Sequence, residues 1–372
     1  MNIIIEFMKI CHLTSVHTRY DIRIFKKECS SAAKAGFDVS LIVADGQSDE
    51  TINGVKIYGV PKAGSRLKRF LGTGKVVYEK ALQLNAQIYH FHDPELFPYG
   101  IKLRKKGKKV IFDSHEDLPR ALLSKPYLSR FAAKIISAIM EKYENYCCRK
   151  YDAVVTATPF INERFKKINT NSVNVNNFPF LDEFNQEGLI EKKSSNKVCY
   201  VGGVTKIRGL HFVIMALDQS RAILHLAGGI ASSSYQQQLQ SENGWEKVKY
   251  HGNVSREKVK EILGDSVAGI VTFLPVPNHI NAQPNKLFEY MSAGIPVIAS
   301  NYPLWKGIVE KYKCGICVDP ESSNEIANAI EYIVKNPNEA KRMGVNGRNA
   351  IEQVFNWEQE EKKLIDLYWR LS

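Results

Sequence analysis

Gln283-Pro284-Asn285-Lys286-Leu287-Phe288-Glu289-Tyr290-Met291-Ser292-Ala293-Gly294-Ile295-Pro296-Val297-Ile298-Ala299-Ser300 reads as a short helix running into a buried strand. Pro284 suits a first helical turn, where its missing N–H costs nothing, and Gly294 followed by Pro296 closes the helix before a β-branched run. Glu289 stands inside an otherwise apolar helix, where a carboxylate needs a cation or a hydroxyl as partner. A ribose diol is one such partner, because a carboxylate can accept from two hydroxyls. Lys286, one turn earlier, then projects toward the phosphate end. The plain alternative is a solvated glutamate on the outer face.

Outward from this stretch the same alternation continues. Apolar strand candidates lie at residues 10–13, 39–43, 55–58, 88–91, 110–112 and 153–156, then at 198–201, 223–226, 269–273, 296–299 and 315–318. Segments with helical periodicity, such as 23–35 and 67–84, separate them. Near-continuous apolar strands alternating with helices predict parallel sheets covered on both faces, here two α/β doubly wound units in tandem. A polar, charged stretch marks the boundary, giving a first domain over 1–185, a linker over 186–196 and a second domain over 197–356. A final helix over 357–372 starts at Asn356-Trp357-Glu358, and its stripe of Leu364, Leu367, Tyr368 and Leu371 must pack on something; residues 1–7 read as a peripheral extension.

Ligands of doubly wound sheets bind beyond the carboxyl ends of the strands, so the loops there carry the functional signal, and the cleft between two such sheets is the expected site. Tyr200-Val201-Gly202-Gly203-Val204-Thr205-Lys206-Ile207-Arg208-Gly209 follows a strand and opens a helix. Its glycines allow close backbone approach, its helix start offers free N–H groups, and Lys206 and Arg208 add charge, which together suit a pyrophosphate. The pattern is neither G-x-G-x-x-G nor a P-loop.

Taken with His90-Phe91-His92-Asp93-Pro94-Glu95-Leu96, Phe112-Asp113-Ser114-His115-Glu116-Asp117-Leu118-Pro119, Arg19-Tyr20-Asp21-Ile22-Arg23-Ile24-Phe25 and Val175-Asn176-Asn177-Phe178-Pro179, these segments resemble glycosyltransferase family 4, in the branch of bacterial capsule, O-antigen and exopolysaccharide enzymes. The likeness runs over nearly the whole chain. It implies the GT-B architecture, two Rossmann-like domains with the last helix returning to the first, and a nucleotide-diphosphate sugar, UDP- or GDP-linked, bound to the second domain. By position, Glu289 matches the second glutamate of the family's E-x7-E motif, which holds the ribose, and Arg208 matches the lysine of the pyrophosphate loop. The resemblance thereby assigns Gly202, Gly203, Lys206, Arg208, Asn281, Asn285, Lys286, Leu287 and Glu289 to the donor. Asn281 replaces the first glutamate, which faces the donor sugar, and Gly203 stands where an arginine is common, so Lys206 or Lys286 must supply that charge.

His115 matches a histidine close to the donor sugar and phosphate; with Arg208 and Glu289 it forms the expected catalytic set. A helix cap is the plain reading of His115, and Asp93 before Pro94 also reads as a cap. His17, Arg19, Asp21, Arg23, His92, Asp93 and Glu116 are assigned to the acceptor. The family retains anomeric configuration without a metal or other cofactor. No D-x-D pair is present, and the departing diphosphate would be met by cations and amides. In the front-face mechanism drawn for the family a donor phosphate oxygen takes the acceptor's proton. The implied reaction is hexosyl or N-acetylhexosaminyl transfer to a polyprenyl-diphosphate-linked or other glycan in surface polysaccharide synthesis. An epimerase of the same architecture, or a degenerate scaffold suggested by Asn281, are the competing readings.

The 372 residues carry 51 Lys+Arg against 39 Asp+Glu, a net charge of +12, with 44% hydrophobic content. That excludes disordered and fibrous classes and favours anionic partners. Nucleic acid is not expected, since no reader motif accompanies the charge. Basic residues cluster at Lys62, Arg66, Lys68 and Arg69, at Lys102 to Lys109, and at Lys125, Arg130 and Lys134, and residues 127–147 place Leu128, Phe131, Ile135, Ile139 and Tyr143 at helical spacing. That stripe reads mostly as core. The basic surface suits an anionic inner-membrane face, at roughly 1 kcal/mol per basic residue near the headgroups. No run approaches the roughly 18 apolar residues of a membrane span, and residues 1–6 do not read as a signal peptide, so a cytoplasmic, peripheral location is expected. Seven cysteines, with Cys314 and Cys317 as an isolated C-x-x-C, read as reduced core residues.

Overall fold

The structure is a computed structural model and describes residues 8–61, 72–125, 128–184 and 196–372. The chain divides into two compact units, Met1–Asn177 with Glu358–Ser372, and Phe178–Trp357. The division falls ahead of residue 185 because Phe178 belongs to the second core, its ring 4.6 Å from Phe288 and 5.3 Å from Phe355. Residue 185, residues 186–195 of the expected linker, residues 1–7, and Lys62, Arg66, Lys68 and Arg69 lie outside the described residues.

The first unit carries β1 (Lys9–Thr14), β2 (Asp38–Val43), β3 (Glu50–Ile52), β4 (Val55–Gly59), β5 (Ile88–Phe91), β6 (Lys109–Ser114), β7 (Ala153–Thr156) and β8 (Ser172–Asn174). They form one sheet in the order β3-β4-β2-β1-β5-β6-β7-β8, parallel apart from the β3–β4 edge. β5 and β7 are buried along their whole length, as strands covered on both faces must be. The strand order reverses between β1 and β5, whose partners include His12 beside His90. The loops after these two strands therefore diverge at a switch point, leaving a crevice.

In the second unit β9 (Lys197–Val201), β10 (Ile223–Ala227), β11 (Val248–Gly252), β12 (Ala268–Val271), β13 (Val297–Ser300) and β14 (Gly315–Val318) form a wholly parallel sheet in the order β11-β10-β9-β12-β13-β14. Its reversal falls between β9 and β12. The helix Asn285–Ser292 lies against β12 so closely that a Cβ on Gly269 would stand 2.2 Å from the Tyr290 ring. Gly294, at φ +66, turns the chain out of that helix into β13.

The last helix, Trp357–Leu371, buries Leu364, Leu367 and Tyr368 completely, and from Glu358 onward it belongs to the first unit. Its Glu360 carboxylate accepts from the Asn176 backbone N–H at 2.9 Å, and Glu361 accepts from the Ser31 hydroxyl at 2.7 Å. Cys314 is buried and Cys317 partly so, and burial raises both thiols, up to about 11 for Cys317.

Candidate active site

The loop after β9, residues 202–209, is built around close approaches. Gly202 has φ +132, and a Cβ there would lie 2.4 Å from Nζ of Lys286, so only glycine lets the lysine reach the backbone. Gly209, at φ +74, would place a Cβ 2.0 Å from the Thr272 carbonyl, which seats the turn Lys206–Arg208 against the end of β12. A Cβ on Gly203 meets open space, so nothing steric excludes a side chain there.

Two cations meet at this switch point. The Arg208 guanidinium lies 4.0 Å from the Phe273 ring, and the Lys286 ammonium lies 5.5 Å from Tyr200 and 5.9 Å from Phe273. Aromatic faces attract both but neutralise neither. Among the described residues no carboxylate forms an ion pair with either group. Burial, then Arg208, pushes the Lys286 amine down to about 8, and burial lowers Arg208 as well. Two half-buried, unneutralised cations favour a ligand with two negative charges. Thr205 Oγ1, Thr272 Oγ1 and Gln283 Oε1, from the same segments, are buried without hydrogen-bond partners, as groups awaiting a polar ligand are.

Glu289 is not solvated alone. Its Oε1 is 2.9 Å from Nη2 of Arg256, which also pairs with Glu183 at 2.6 Å. One oxygen is thereby oriented and the other makes no protein hydrogen bond, the arrangement a carboxylate needs to receive a ribose. Asn285 is exposed and Asn281 half-buried, whereas the Leu287 side chain is wholly inside the core and cannot itself meet a donor. Lys206 is exposed, 6.0 Å from the Tyr235 ring.

The first unit has its own cavity, about 1030 Å³, at the β1–β5 switch point. His17, His92, Asp93, His115 and Glu116 line its polar side; Tyr99, Leu118, Met140 and Tyr143 are among its apolar walls. Asp93 does not cap the turn Pro94–Leu96. Its carboxylate accepts instead from the Thr14 hydroxyl at 2.8 Å and the Ser15 N–H at 2.6 Å, tying the loop after β1 to the loop after β5. His17 lies 3.4 Å from Asp21 and 3.5 Å from Asp93, and against the effect of burial these carboxylates raise its pKa. Asp21 also caps the helix that begins at Ile22, accepting from the N–H groups of Arg23 and Ile24.

Two expected acceptor residues are structural. Arg19 is buried and engages Asp45 at 2.7 Å and Glu50 at 2.8 Å. Arg23 is buried and grips Asp113 through two hydrogen bonds of 2.8 Å, with a third to the Val175 carbonyl. Neither lines the cavity, because Arg19 is consumed by the partly exposed Asp45 and Glu50 and Arg23 by the buried Asp113.

Behind the cavity lies a buried chain of imidazoles. Asp113 is ionised: burial opposes this, but Arg23 and then His115 hold its carboxyl well below the usual range. It therefore accepts from His115 Nε2 at 2.9 Å and His92 Nδ1 at 3.3 Å, which puts the protons on those nitrogens. His92 Nε2 must then accept from His12 Nδ1 at 3.0 Å, and His12 Nε2 from the Tyr368 hydroxyl at 3.1 Å. The hydroxyl accepts in turn from His90 Nδ1 at 2.8 Å, leaving the buried His90 Nε2 without a partner. Burial keeps all three buried histidines neutral, His92 at about 4. Glu28, His90, His92 and Asp113 bring four ligand-type atoms within 4.8 Å of one another. The lone pair of His92 faces an N–H, and a guanidinium already holds Asp113, so the group fits a hydrogen-bond network better than a metal shell.

Sequence reasoning missed Arg256, Asp113 as His115's partner, and the His12–Tyr368 chain. The i, i+2 spacing of Asp113 with His115, and of His90 with His92, was the available signal, since alternate residues share one face of a strand.

A family model for glycosyl transferases group 1 matches residues 182–350, and one for glycosyltransferase family 4 matches residues 23–175. The chain belongs to glycosyltransferase family 4. It is a glycosyltransferase of the GT-B class. An uncharacterized glycosyltransferase of Methanocaldococcus jannaschii is 25% identical over 282 residues, 73% of this chain and 70% of that one. The O-antigen chain mannosyltransferase C of Escherichia coli is 22% identical over 295 residues, covering 76% and 74%. Among solved structures, sucrose-phosphate synthase from Thermosynechococcus elongatus superposes with a TM-score of 0.79 at 18% identity, covering 98% and 99% of the two chains. The Anabaena protein Alr3699/HepE in complex with UDP gives 0.71 at 14% identity, covering 98% and 100%. These two likenesses concern the fold. No helix among the described residues is long and apolar enough to cross a membrane.

Proposed function

We propose that this family 4 enzyme moves a hexosyl or N-acetylhexosaminyl group from a UDP- or GDP-sugar, held by Arg208, Lys286 and Glu289, to a lipid-linked glycan received in the cavity of the first unit. Transfer proceeds with retention, without a metal or other cofactor, at the cytoplasmic face of an anionic membrane, in the synthesis of a surface polysaccharide. The Escherichia coli O-antigen relative supports the substrate class.

One observation carries the lipid-linked acceptor. The helix Arg130–Cys148 buries Ala133, Ser137, Glu144, Cys147 and Cys148 and leaves its bulky apolar stripe in solvent, with Phe131 75% and Ile139 63% exposed. Ile135, Tyr143 and Tyr146 continue the stripe, and Arg130, Lys134 and Lys142 flank it. Met140 and Tyr143 of the same helix line the cavity. An apolar, basic-edged helix that also walls the acceptor pocket suits delivery of a polyprenyl chain from an anionic leaflet.

The test is an acceptor-dependent assay with UDP- and GDP-sugars and a polyprenyl-diphosphate-linked glycan. Glycan extension with release of nucleoside diphosphate is expected. A new sugar nucleotide formed from donor alone would instead identify an epimerase.

A further inference from the structure

The cavity of the first unit runs against the charge of the molecule. The chain carries a net +12, yet the carboxylates of Asp93, Glu95 and Glu116 line this pocket, and Lys125 is the one ammonium or guanidinium among its described lining residues. Asp113 also reaches the pocket, but Arg23 stands behind it with two 2.8 Å hydrogen bonds and balances that charge. His17 lies between Asp21 and Asp93, so a proton on its ring meets two carboxylates. The field inside is therefore negative on a basic protein, and like charge at close quarters turns a wrong ligand away.

Asp93 gives this field a defined contact. It is 3% exposed, and its Oδ2 accepts from the Thr14 hydroxyl at 2.8 Å, the Ser15 N–H at 2.6 Å and the Ser15 hydroxyl at 3.3 Å. Its Oδ1 lies 3.5 Å from Nε2 of His17, beyond the length of a normal hydrogen bond. One oxygen is thus pinned, and the other can accept from a ligand that donates a hydroxyl. Leu118, Met140 and Tyr143, among the apolar walls of the same pocket, suit the C–H face of a sugar ring and penalise a charged group.

We propose that this cavity selects acceptors by charge: it takes a neutral terminal sugar, one hydroxyl of which donates to Asp93 Oδ1, and rejects sugars that carry a carboxylate or a phosphate. This rests on the reading that the cavity receives the acceptor, and it narrows that reading to hexosides and N-acetylhexosaminides as against uronic acids and sugar phosphates. The diphosphate of a lipid carrier, being anionic, stays outside the pocket, where Arg130, Lys134 and Lys142 edge the helix that walls it.

The experiment is saturation-transfer NMR on the full chain without donor. The probes are the methyl glycosides of glucose, galactose and mannose, each beside its uronic acid counterpart, which differs only in a carboxylate where the hexose has a hydroxymethyl group. At least one hexoside should bind, and its uronic counterpart should bind at least about tenfold more weakly. Leu118→Trp, which fills the cavity, should remove the signal and so locate it. Glu95→Gln combined with Glu116→Gln should narrow the gap between the two kinds of sugar. Asp93→Asn should weaken the neutral one; if that variant fails to fold, the paired glutamine substitutions decide. Uronic acids held as tightly as their neutral counterparts by the wild type would overturn the proposal while leaving the cavity as the acceptor site. Binding of neither kind, or binding undiminished by Leu118→Trp, would remove the reading of the cavity beneath it, and the proposal too.

Discussion

Lys286 and Arg208 carry the proposed donor site at the scale of single residues. Each is a cation withdrawn from water without a carboxylate to compensate, and that arrangement is unfavourable until an anion arrives. Because the Lys286 amine is lowered to about 8, it is charged below that pH and loses its proton above it. Affinity for a nucleoside diphosphate should therefore fall as pH rises through about 8, at most about tenfold per unit, as titration calorimetry would read. Lys286→Met should bind more weakly with that slope gone, and an unchanged slope would place the titrating group elsewhere. Arg256 acts one step back, by orienting Glu289. Arg256→Ala should weaken donor binding about tenfold, or about 1.4 kcal/mol, without changing the base preference. Equal affinity in this variant would mean that Glu289 needs no such support. Sequence alone exposed Glu289 as an acid inside an apolar helix, but Arg256 starts a helix 33 residues earlier and looks like any surface cation.

At the scale of elements, the helices and central strands were legible because their periods are strong, and the helix Arg130–Cys148 shows what a period does not contain. Its stripe of Phe131, Ile135, Ile139 and Tyr143 reads as core, yet the structure turns it outward. The reason is that Ser137, opposite the stripe, donates its hydroxyl to the Pro119 carbonyl at 2.7 Å, and Ala133, Glu144, Cys147 and Cys148 are the residues buried with it. Periodicity names a face; it does not name what covers it. Changing Phe131, Ile135 and Ile139 together to Ser should abolish sedimentation with anionic vesicles at little cost in melting temperature. Undiminished sedimentation would move the dock elsewhere. Arg104, the obvious basic candidate, is already paired with Asp152 at 3.2 Å. The fit between the helix Asn285–Ser292 and β12 is less forgiving. Gly269→Ala would drive a methyl into the Tyr290 ring and should destabilise the second unit by about 1–3 kcal/mol in denaturant unfolding. Wild-type stability would show that the ring can move.

For the whole molecule, the alternation of apolar strands with helices was enough to give two parallel sheets, since few other arrangements bury strands on both faces. What the pattern could not supply were the contacts made at long range. Phe178 joins the second core rather than the first, and Tyr368, at the far end of the chain, closes a chain of buried histidines that begins on β1, β5 and β6. These contacts depend on three-dimensional neighbours that no local window contains. Tyr368→Phe should expose the consequence: it leaves His12 Nε2 and His90 Nδ1 without their partner, and the first unit should lose about 1–3 kcal/mol in denaturant unfolding. Undiminished stability would mean that the hydroxyl is not needed there. The central claim concerns the switch point of the second sheet, where Arg208 and Lys286 grip a diphosphate while Glu289 holds the adjoining ribose. Titration calorimetry of UDP and GDP into the wild type, Arg208→Ala and Glu289→Ala tests it most directly. One nucleotide should bind the wild type and lose at least about tenfold in affinity to each substitution. Binding of equal strength to all three proteins would contradict the account.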